Sequence, residues 1–237
     1  MKLVLFDVDG TLVLTGGAGV RAMSRAFEEV FGIADGFRGV PMPGRMDPGI
    51  LADGLRMHDV PASEGEIERF RERYFELLID EMQHPTPAAP GVPMKRRFNG
   101  TLPGVRALLD ALSVRDDMFL ALLTGNYARG AHLKLEHFDL WRYFACGAFG
   151  DDAADRHELV PIAVARAREA GCPALSRQDV IVVGDTTRDI ACARDAGVRC
   201  LAVATGGDAF DTLRAAGPDA LFVTLEETAS VIAALLE

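Results

Sequence analysis

The chain opens with LVLFDVDGT, Leu3 to Thr11, in which an apolar run changes abruptly into two carboxylates. Four consecutive apolar residues followed by turn residues are typical of a strand buried in a parallel sheet. Asp7 and Asp9 would then lie at the carboxyl end of this strand, where open α/β sheets bind ligands, and Gly10 would allow a sharp turn. Asp and Gly are also common in plain solvated turns. Carboxylates this close repel each other, however, and that favours a shared divalent cation or a proton between them.

The composition is that of a globular protein with a sizeable core. The chain has 237 residues, of which 49% are hydrophobic and 25% are charged, enough for one large α/β domain or for a core with an insertion. The formal net charge of -10 argues against nucleic acid or a membrane surface as a partner, because both favour clustered Lys and Arg. No apolar stretch is long enough to span a bilayer, and Asp7 interrupts the short N-terminal run. We therefore expect a cytoplasmic protein.

A helical segment follows the first strand directly. Apolar residues recur at three- and four-residue steps from Ala22 to Val30 and again from Ile67 to Met82, which predicts amphipathic helices. The stretch from His84 to Pro93 is rich in proline, which interrupts helices and is typical of a linker. We predict an all-helical domain over residues 15–91, inserted into an α/β core formed by residues 1–14 and 92–237.

Buried strands and helices alternate in the rest of the chain. Strands are expected at Phe119 to Leu123, Tyr143 to Phe149, Val180 to Val183, Cys200 to Val203 and Ala220 to Val223. This alternation predicts an open, Rossmann-like parallel sheet with helices on both faces. Thr124 and Asp185 each follow a strand directly, as Asp7 does. If the three strands are neighbours, these residues meet at one edge of the sheet.

Four short motifs, in this order and in this strand context, resemble those of the haloacid dehalogenase superfamily of phosphatases. They are DVDGT from Asp7 to Thr11, TGN from Thr124 to Asn126, a basic residue further along, and GDTTRD from Gly184 to Asp189. The resemblance covers essentially the whole chain, and it implies that the helical insertion is a cap domain. It also implies a phosphatase for a small phosphorylated metabolite, with phosphoglycolate phosphatases as the nearest analogy.

Phosphoryl transfer needs a nucleophile in line with phosphorus and positive charge to offset that of the phosphate. Asp7 is the candidate nucleophile, and its attack would form an aspartyl-phosphate. Asp9 could protonate the leaving alcohol and then activate water. Mg²⁺ suits a site of carboxylates, and we assign it to Asp7, to the Asp9 carbonyl and to Asp185. Asp189 either supports this metal or caps the helix that begins there.

Further residues are candidates for binding the phosphoryl group. Thr124 offers a hydroxyl and Gly125 a backbone amide, and Asn126 belongs to the same loop. As the cation we favour Arg156, which precedes a helix at the expected edge and whose fork geometry suits phosphate. The common family pattern has Lys instead. Lys134 is the competing residue, but we expect it to be a solvated helix residue at the opposite end of the sheet.

The segment Gly44-Arg45-Met46-Asp47 lies between predicted helices of the cap and could reach the core. Arg45 either holds an anionic group of the substrate or is solvated. Asp47 could simply cap a helix.

Three other functions stay open at this point. A dehalogenase would use the same nucleophile but normally lacks a carboxylate at the position of Asp9. A phosphosugar mutase would keep every core motif and differ in its cap. The third alternative is not an enzyme but a signalling module, in which phosphorylation of Asp7 would switch a surface that binds a partner.

Overall fold

The structure is a computed structural model that describes residues 1–85 and 97–237. Residues 86–93 of the predicted linker lie outside the described residues, as does the predicted boundary between residues 91 and 92. The division into a cap over residues 15–91 and a core therefore stays a prediction.

Strands and helices alternate through most of the described residues. The strands are β1 (Lys2–Phe6), β2 (Val13–Thr15), β3 (Asn99–Thr101), β4 (Met118–Leu123), β5 (Gly147–Ala148), β6 (Val180–Gly184), β7 (Arg199–Val203) and β8 (Ala220–Phe222). The helices are α1 (Ala18–Phe31), α2 (Asp47–Met57), α3 (Glu64–Gln83), α4 (Val105–Ser113), α5 (Ala128–His137), α6 (Leu159–Glu169), α7 (Thr187–Ala196), α8 (Phe210–Ala216) and α9 (Thr228–Leu236).

The main sheet is parallel and has the order β5-β4-β1-β6-β7-β8. β1 lies between β4 and β6, and Phe6 is in register with Leu122 on one side and with Val183 on the other. Parallel strands place their carboxyl ends at one edge of a sheet, so the residues that follow these three strands meet there. The predicted open parallel sheet is confirmed. Its edge strand β5 is shorter than expected, since Tyr143 ends a 3₁₀ turn that precedes it.

Helices cover both faces of this sheet because successive side chains of a strand point to opposite faces. On one face Val4 and Phe6 pack in a buried cluster with residues of α4, α5 and α9. On the other face Leu3 and Leu5 pack with residues of α6 and α7. Among the described residues, none of the helices is both long and apolar enough to cross a bilayer.

The helices α1, α2 and α3 lie between β2 and β3 in the sequence, and they have a hydrophobic core of their own. The Phe27 ring lies against those of Phe37 and Phe70 in this core. Ser63 and Glu66 form a capping box that begins α3, with the S-x-x-E spacing typical of this motif. β2 and β3 form a separate antiparallel pair, which no pattern in the sequence predicts.

Candidate active site

Three buried carboxylates meet at the carboxyl edge of the sheet. Asp7 follows β1, Asp185 follows β6, and Asp189 lies in the first turn of α7, with ligand atoms all within 4.8 Å of one another. Asp189 Oδ2 also accepts hydrogen bonds from the Thr186 N–H and hydroxyl, at 3.0 and 2.6 Å. Asp189 therefore caps its helix and belongs to the acidic cluster at the same time.

Burial makes this cluster electrostatically costly. Burial raises the pKa of Asp7 to about 6. The charge of Arg156 acts to lower this pKa, and that of Asp189 acts to raise it. Burial likewise raises the pKa of Asp185 well above its usual value, and the charges of Asp189 and Asp7 raise it further. The hydroxyl of Thr11 donates to Asp185 at 3.1 Å. A hard divalent cation fits this donor set, because Mg²⁺ prefers carboxylate oxygens and its charge would offset theirs.

Arg156 lies beside the acidic cluster, at the start of a 3₁₀ turn. Its Nη2 is 2.5 Å from Asp189 Oδ1 and 3.4 Å from Asp7 Oδ1. Within the part of the chain that the structure describes, its buried Nε has no hydrogen-bond partner. Buried donors are almost always paired, so this unpaired Nε is an exception among the buried groups of the site. The structure thus places Arg156 at the predicted edge.

Lys134 also lies at this site, so the prediction that it is a solvated residue at the opposite end of the sheet is wrong. The Lys134 side chain is 5% exposed, and Nζ donates to Asp9 Oδ2 and to Asn126 Oδ1, both at 2.5 Å. Lys134 is only about two turns into α5, which begins at this edge, and side chains on a helix tilt toward its N-terminus. Its long side chain therefore reaches back to the carboxyl edge.

Asn126 connects the TGN loop to the second carboxylate. Its Nδ2 donates to Asp9 Oδ2 at 2.9 Å and to Thr124 Oγ1 at 2.8 Å. The Thr124 side chain is buried, whereas that of Asp9 is 41% exposed. Asp9 is thus fixed by an amide and an ammonium while part of its side chain stays exposed to solvent.

The segment that precedes α2 lies directly on the core loops. A Cβ at Gly125 would overlap the Arg45 carbonyl oxygen, and one at Gly44 would overlap the Thr186 hydroxyl. The Arg45 guanidinium itself pairs with Asp53 at 2.5 Å. It is therefore the Arg45 backbone that contacts Gly125, and substrate binding by the Arg45 side chain stays a prediction.

Comparison with known proteins agrees with this geometry. Residues 1–197 match the family model of haloacid dehalogenase-like hydrolases. The chain belongs to this family. The membership inferred from four short motifs is thereby confirmed, and the chain is a hydrolase. The "Probable phosphatase IndB" of Dickeya dadantii (strain 3937) is 28% identical to this haloacid dehalogenase-like hydrolase, over 99% of this chain and 95% of the relative.

Solved structures of low sequence identity share the fold. A Thermotoga maritima protein provisionally named a beta-phosphoglucomutase is 22% identical, with a TM-score of 0.61 over 98% of this chain and 99% of that chain. A "predicted phosphoglycolate phosphatase" from Haemophilus somnus is 17% identical, with a TM-score of 0.66 over 98% of both chains. These likenesses concern the fold alone.

Two contacts at the site are not predicted from the sequence, those of Lys134 with Asp9 and those of Asp47 with the TGN loop. Lys134 shares a helix face with the buried Ala131 and lies next to the buried Leu135, and that pattern could have indicated its burial. Asp47 is buried and accepts a hydrogen bond from the Tyr127 N–H at 3.0 Å. No local pattern indicates this second contact, since it depends on how the helical segment lies over the core.

Proposed function

We propose that this haloacid dehalogenase-like hydrolase is a Mg²⁺-dependent phosphatase of phosphoglycolate-phosphatase-like type. It hydrolyses a small phosphorylated metabolite through an aspartyl-phosphate on Asp7. The observation that carries the proposal is the buried group of Asp7, Asp185 and Asp189, with ligand atoms within 4.8 Å, beside the guanidinium of Arg156. Candidates for the nucleophile, the metal ligands and the cation thus lie at one edge, which supports phosphoryl transfer as the chemistry.

The reaction has two steps, in which Asp7 and Asp9 have separate roles. An Asp7 oxygen attacks phosphorus, the bond between phosphorus and the leaving oxygen breaks, and Asp9 gives its proton to that oxygen. Asp9 then accepts a proton from water, whose oxygen attacks phosphorus and breaks the bond to Asp7. Phosphate leaves and both carboxyl groups return to their starting state.

Other residues bind the metal and the substrate in this proposal. Asp7, the Asp9 carbonyl and Asp185 would hold Mg²⁺, supported by Asp189, and the ion supplies charge that screens the carboxylate from the phosphate. Phosphoryl oxygens accept hydrogen bonds from the loop after β4 and from the cation beside it. These donors are Thr124, Gly125, Asn126 and Arg156. Arg45 holds an anionic group of the substrate in place of its partner Asp53.

Phosphate release from a panel of small phosphomonoesters tests this function, in excess Mg²⁺ or with a chelator. We expect turnover of at least one ester and a rate more than about tenfold lower with chelator, restored by added Mg²⁺, because the carboxylate cluster would lose its counter-charge. Absence of turnover on every ester would overturn the phosphatase proposal. Conversion of a phosphosugar into its isomer would indicate a mutase, and a stable phosphorylated Asp7 without turnover would indicate a signalling module.

Gly125→Ala tests whether close contact between the segment before α2 and the TGN loop matters for turnover. We expect kcat/KM to fall by about tenfold or more, because the new Cβ would displace the Arg45 carbonyl and small displacements at an active site are costly. Gly130→Ala is the matched control, since its Cβ would meet its nearest neighbour at an ordinary 3.6 Å. That control should keep its activity and gain about 1 kcal/mol in stability. Equal kinetics for both variants would contradict the prediction.

A further inference from the structure

We propose that Asp47 is a positioning residue of the active site, which fixes the start of α5 and through it the placement of Asn126 and Lys134. Asp47 lies in the helical segment and its bonding partners lie in the core. The inference deepens the proposed phosphatase function and rests on it for its kinetic test.

Asp47 bonds to the core with its backbone N–H and with its carboxylate. Its N–H donates to the Gly125 carbonyl at 2.7 Å, and its Oδ2 accepts from the Tyr127 N–H at 3.0 Å. The two bonds lie on either side of Asn126, the residue that bonds to Asp9. Asp47 therefore fixes the backbone around Asn126 from outside the core.

The expectation that Asp47 caps a helix is correct in kind, but the helix is α5 rather than α2. The N-cap residue of α2 is Met46, and it makes no side-chain capping bond. The N-cap residue of α5 is Tyr127, and its N–H donates the hydrogen bond that Asp47 accepts. Helices leave their first N–H groups without partners inside the helix, and a carboxylate at that end also interacts favourably with the helix dipole.

A second carboxylate at the same helix end comes from the core. Asp151 Oδ2 accepts from the Ala128 N–H at 2.5 Å. Asp151 also pairs with Arg71 of α3 at 2.8 Å. The start of α5 is thus a joint where the helical segment and the core both contribute bonds, and Asp47 contributes the bond nearest to the TGN loop.

The position of α5 matters because this helix carries Lys134. Lys134 Nζ bonds both Asp9 and Asn126 at 2.5 Å. A shift at the start of α5 would move the ammonium relative to the carboxylate that it fixes, and misplacement by about 1 Å can lower rates about 10²-fold. Loss of Asp47 therefore acts on the reaction without contact between Asp47 and the substrate.

Asp47 is a costly residue to bury at this place. Its side chain is 8% exposed. Burial raises the pKa of Asp47 to about 7; the charge of Lys134 acts to lower it, and the charges of Asp9 and Asp151 act to raise it. An asparagine could accept the same Tyr127 N–H with its carbonyl oxygen and would not carry this cost. Asparagine is therefore the natural rescue variant.

Steady-state kinetics on the best ester of the panel test this role. We expect Asp47→Ala to lower kcat by about 10- to 100-fold, because the first turn of α5 loses an acceptor, and Asp47→Asn to recover most of that loss. Asp47→Glu keeps the charge but moves the carboxylate by one methylene, so it should also lower kcat, and it serves if Asp47→Ala does not fold. Glu72→Gln is the matched control: Glu72 of α3 accepts from Arg129 of α5 at 2.6 Å, but both side chains are half exposed. It should leave kcat unchanged.

Amide hydrogen exchange gives a second readout that needs no activity. Peptides that cover residues 124–133 should exchange faster in Asp47→Ala than in the native chain and should be protected again in Asp47→Asn. If the native chain hydrolyses no ester, the proposed function fails, but the exchange result still tests whether Asp47 fixes α5. Unchanged kcat and unchanged exchange in Asp47→Ala would overturn the proposal. A kcat in Asp47→Asn as low as in Asp47→Ala would also overturn it, because it would mean that the charge itself is needed.

Discussion

Asp7→Asn is expected to lower kcat for phosphate release by at least about 10⁴-fold, because an amide cannot form the aspartyl-phosphate and loss of a nucleophile removes most of the catalysis. The substitution is nearly isosteric at a site where Asp7 is 4% exposed. Burial raises the pKa of this carboxyl to about 6, so a neutral amide removes an electrostatic cost and the variant should fold. Acid-quenched single turnovers, digested and analysed by mass spectrometry, should yield a phosphorylated Asp7 peptide from the native chain and none from the variant.

Asp117→Asn is the matched control for this experiment. Asp117 precedes β4 at the opposite edge of the sheet and pairs with Arg115 at 2.7 Å. Its side chain is 46% exposed, so the same chemical change there should leave kcat unchanged. A residual kcat within about tenfold of the native value in Asp7→Asn would contradict the assignment of Asp7 as nucleophile.

The sheet and the residues that meet at its carboxyl edge follow from local patterns in the sequence. Apolar runs that end in turn residues predict β1, β4 and β6, and right-handed crossovers between parallel strands bring their carboxyl ends together. Asp7, Thr124 and Asp185 could be placed at one site for this reason. The pairing of β2 with β3 could not, since these strands have three residues each and lie far apart in the sequence. Nothing local indicates such a partner.

The errors at the site have a different physical cause. The prediction for Lys134 is wrong because a helix position indicates where the backbone lies but not how far a long side chain extends along the helix. The contacts of Asp47 depend on the placement of α2 over the core, which is a matter of tertiary packing. Charged residues at such joints are buried through partners from other elements, and sequence periodicity contains no information about those partners.

Lys134→Met is expected to lower kcat/KM on alkyl phosphates by about 10²-fold or more, because Asp9 would lose the ammonium that positions it as general acid and general acid catalysis contributes about 10²- to 10⁴-fold. The quantity compared is kcat/KM, because kcat also includes the hydrolysis step in which Asp9 activates water whichever ester is used. The loss of kcat/KM should be below about tenfold on nitrophenyl phosphate, because nitrophenolate leaves without needing a proton. The free energy of unfolding should fall by about 1–3 kcal/mol, since the buried Asn126 oxygen loses its donor. Removal of a buried ammonium partly offsets this loss. Steady-state kinetics on the two esters and a denaturant titration measure these effects.

The comparison of the two esters separates two roles for Lys134. If Lys134 acts through Asp9, with which its Nζ makes a 2.5 Å contact, kcat/KM should fall strongly only for the ester with a poor leaving group. An ammonium that binds the phosphoryl group directly would support both esters equally, so equal losses would contradict the assignment to Asp9. Lys2→Met supplies the control, because Lys2 pairs with Asp179 at 3.2 Å at the opposite end of β1. Loss of activity in Lys2→Met as well would mean that the effect is not specific to the active site.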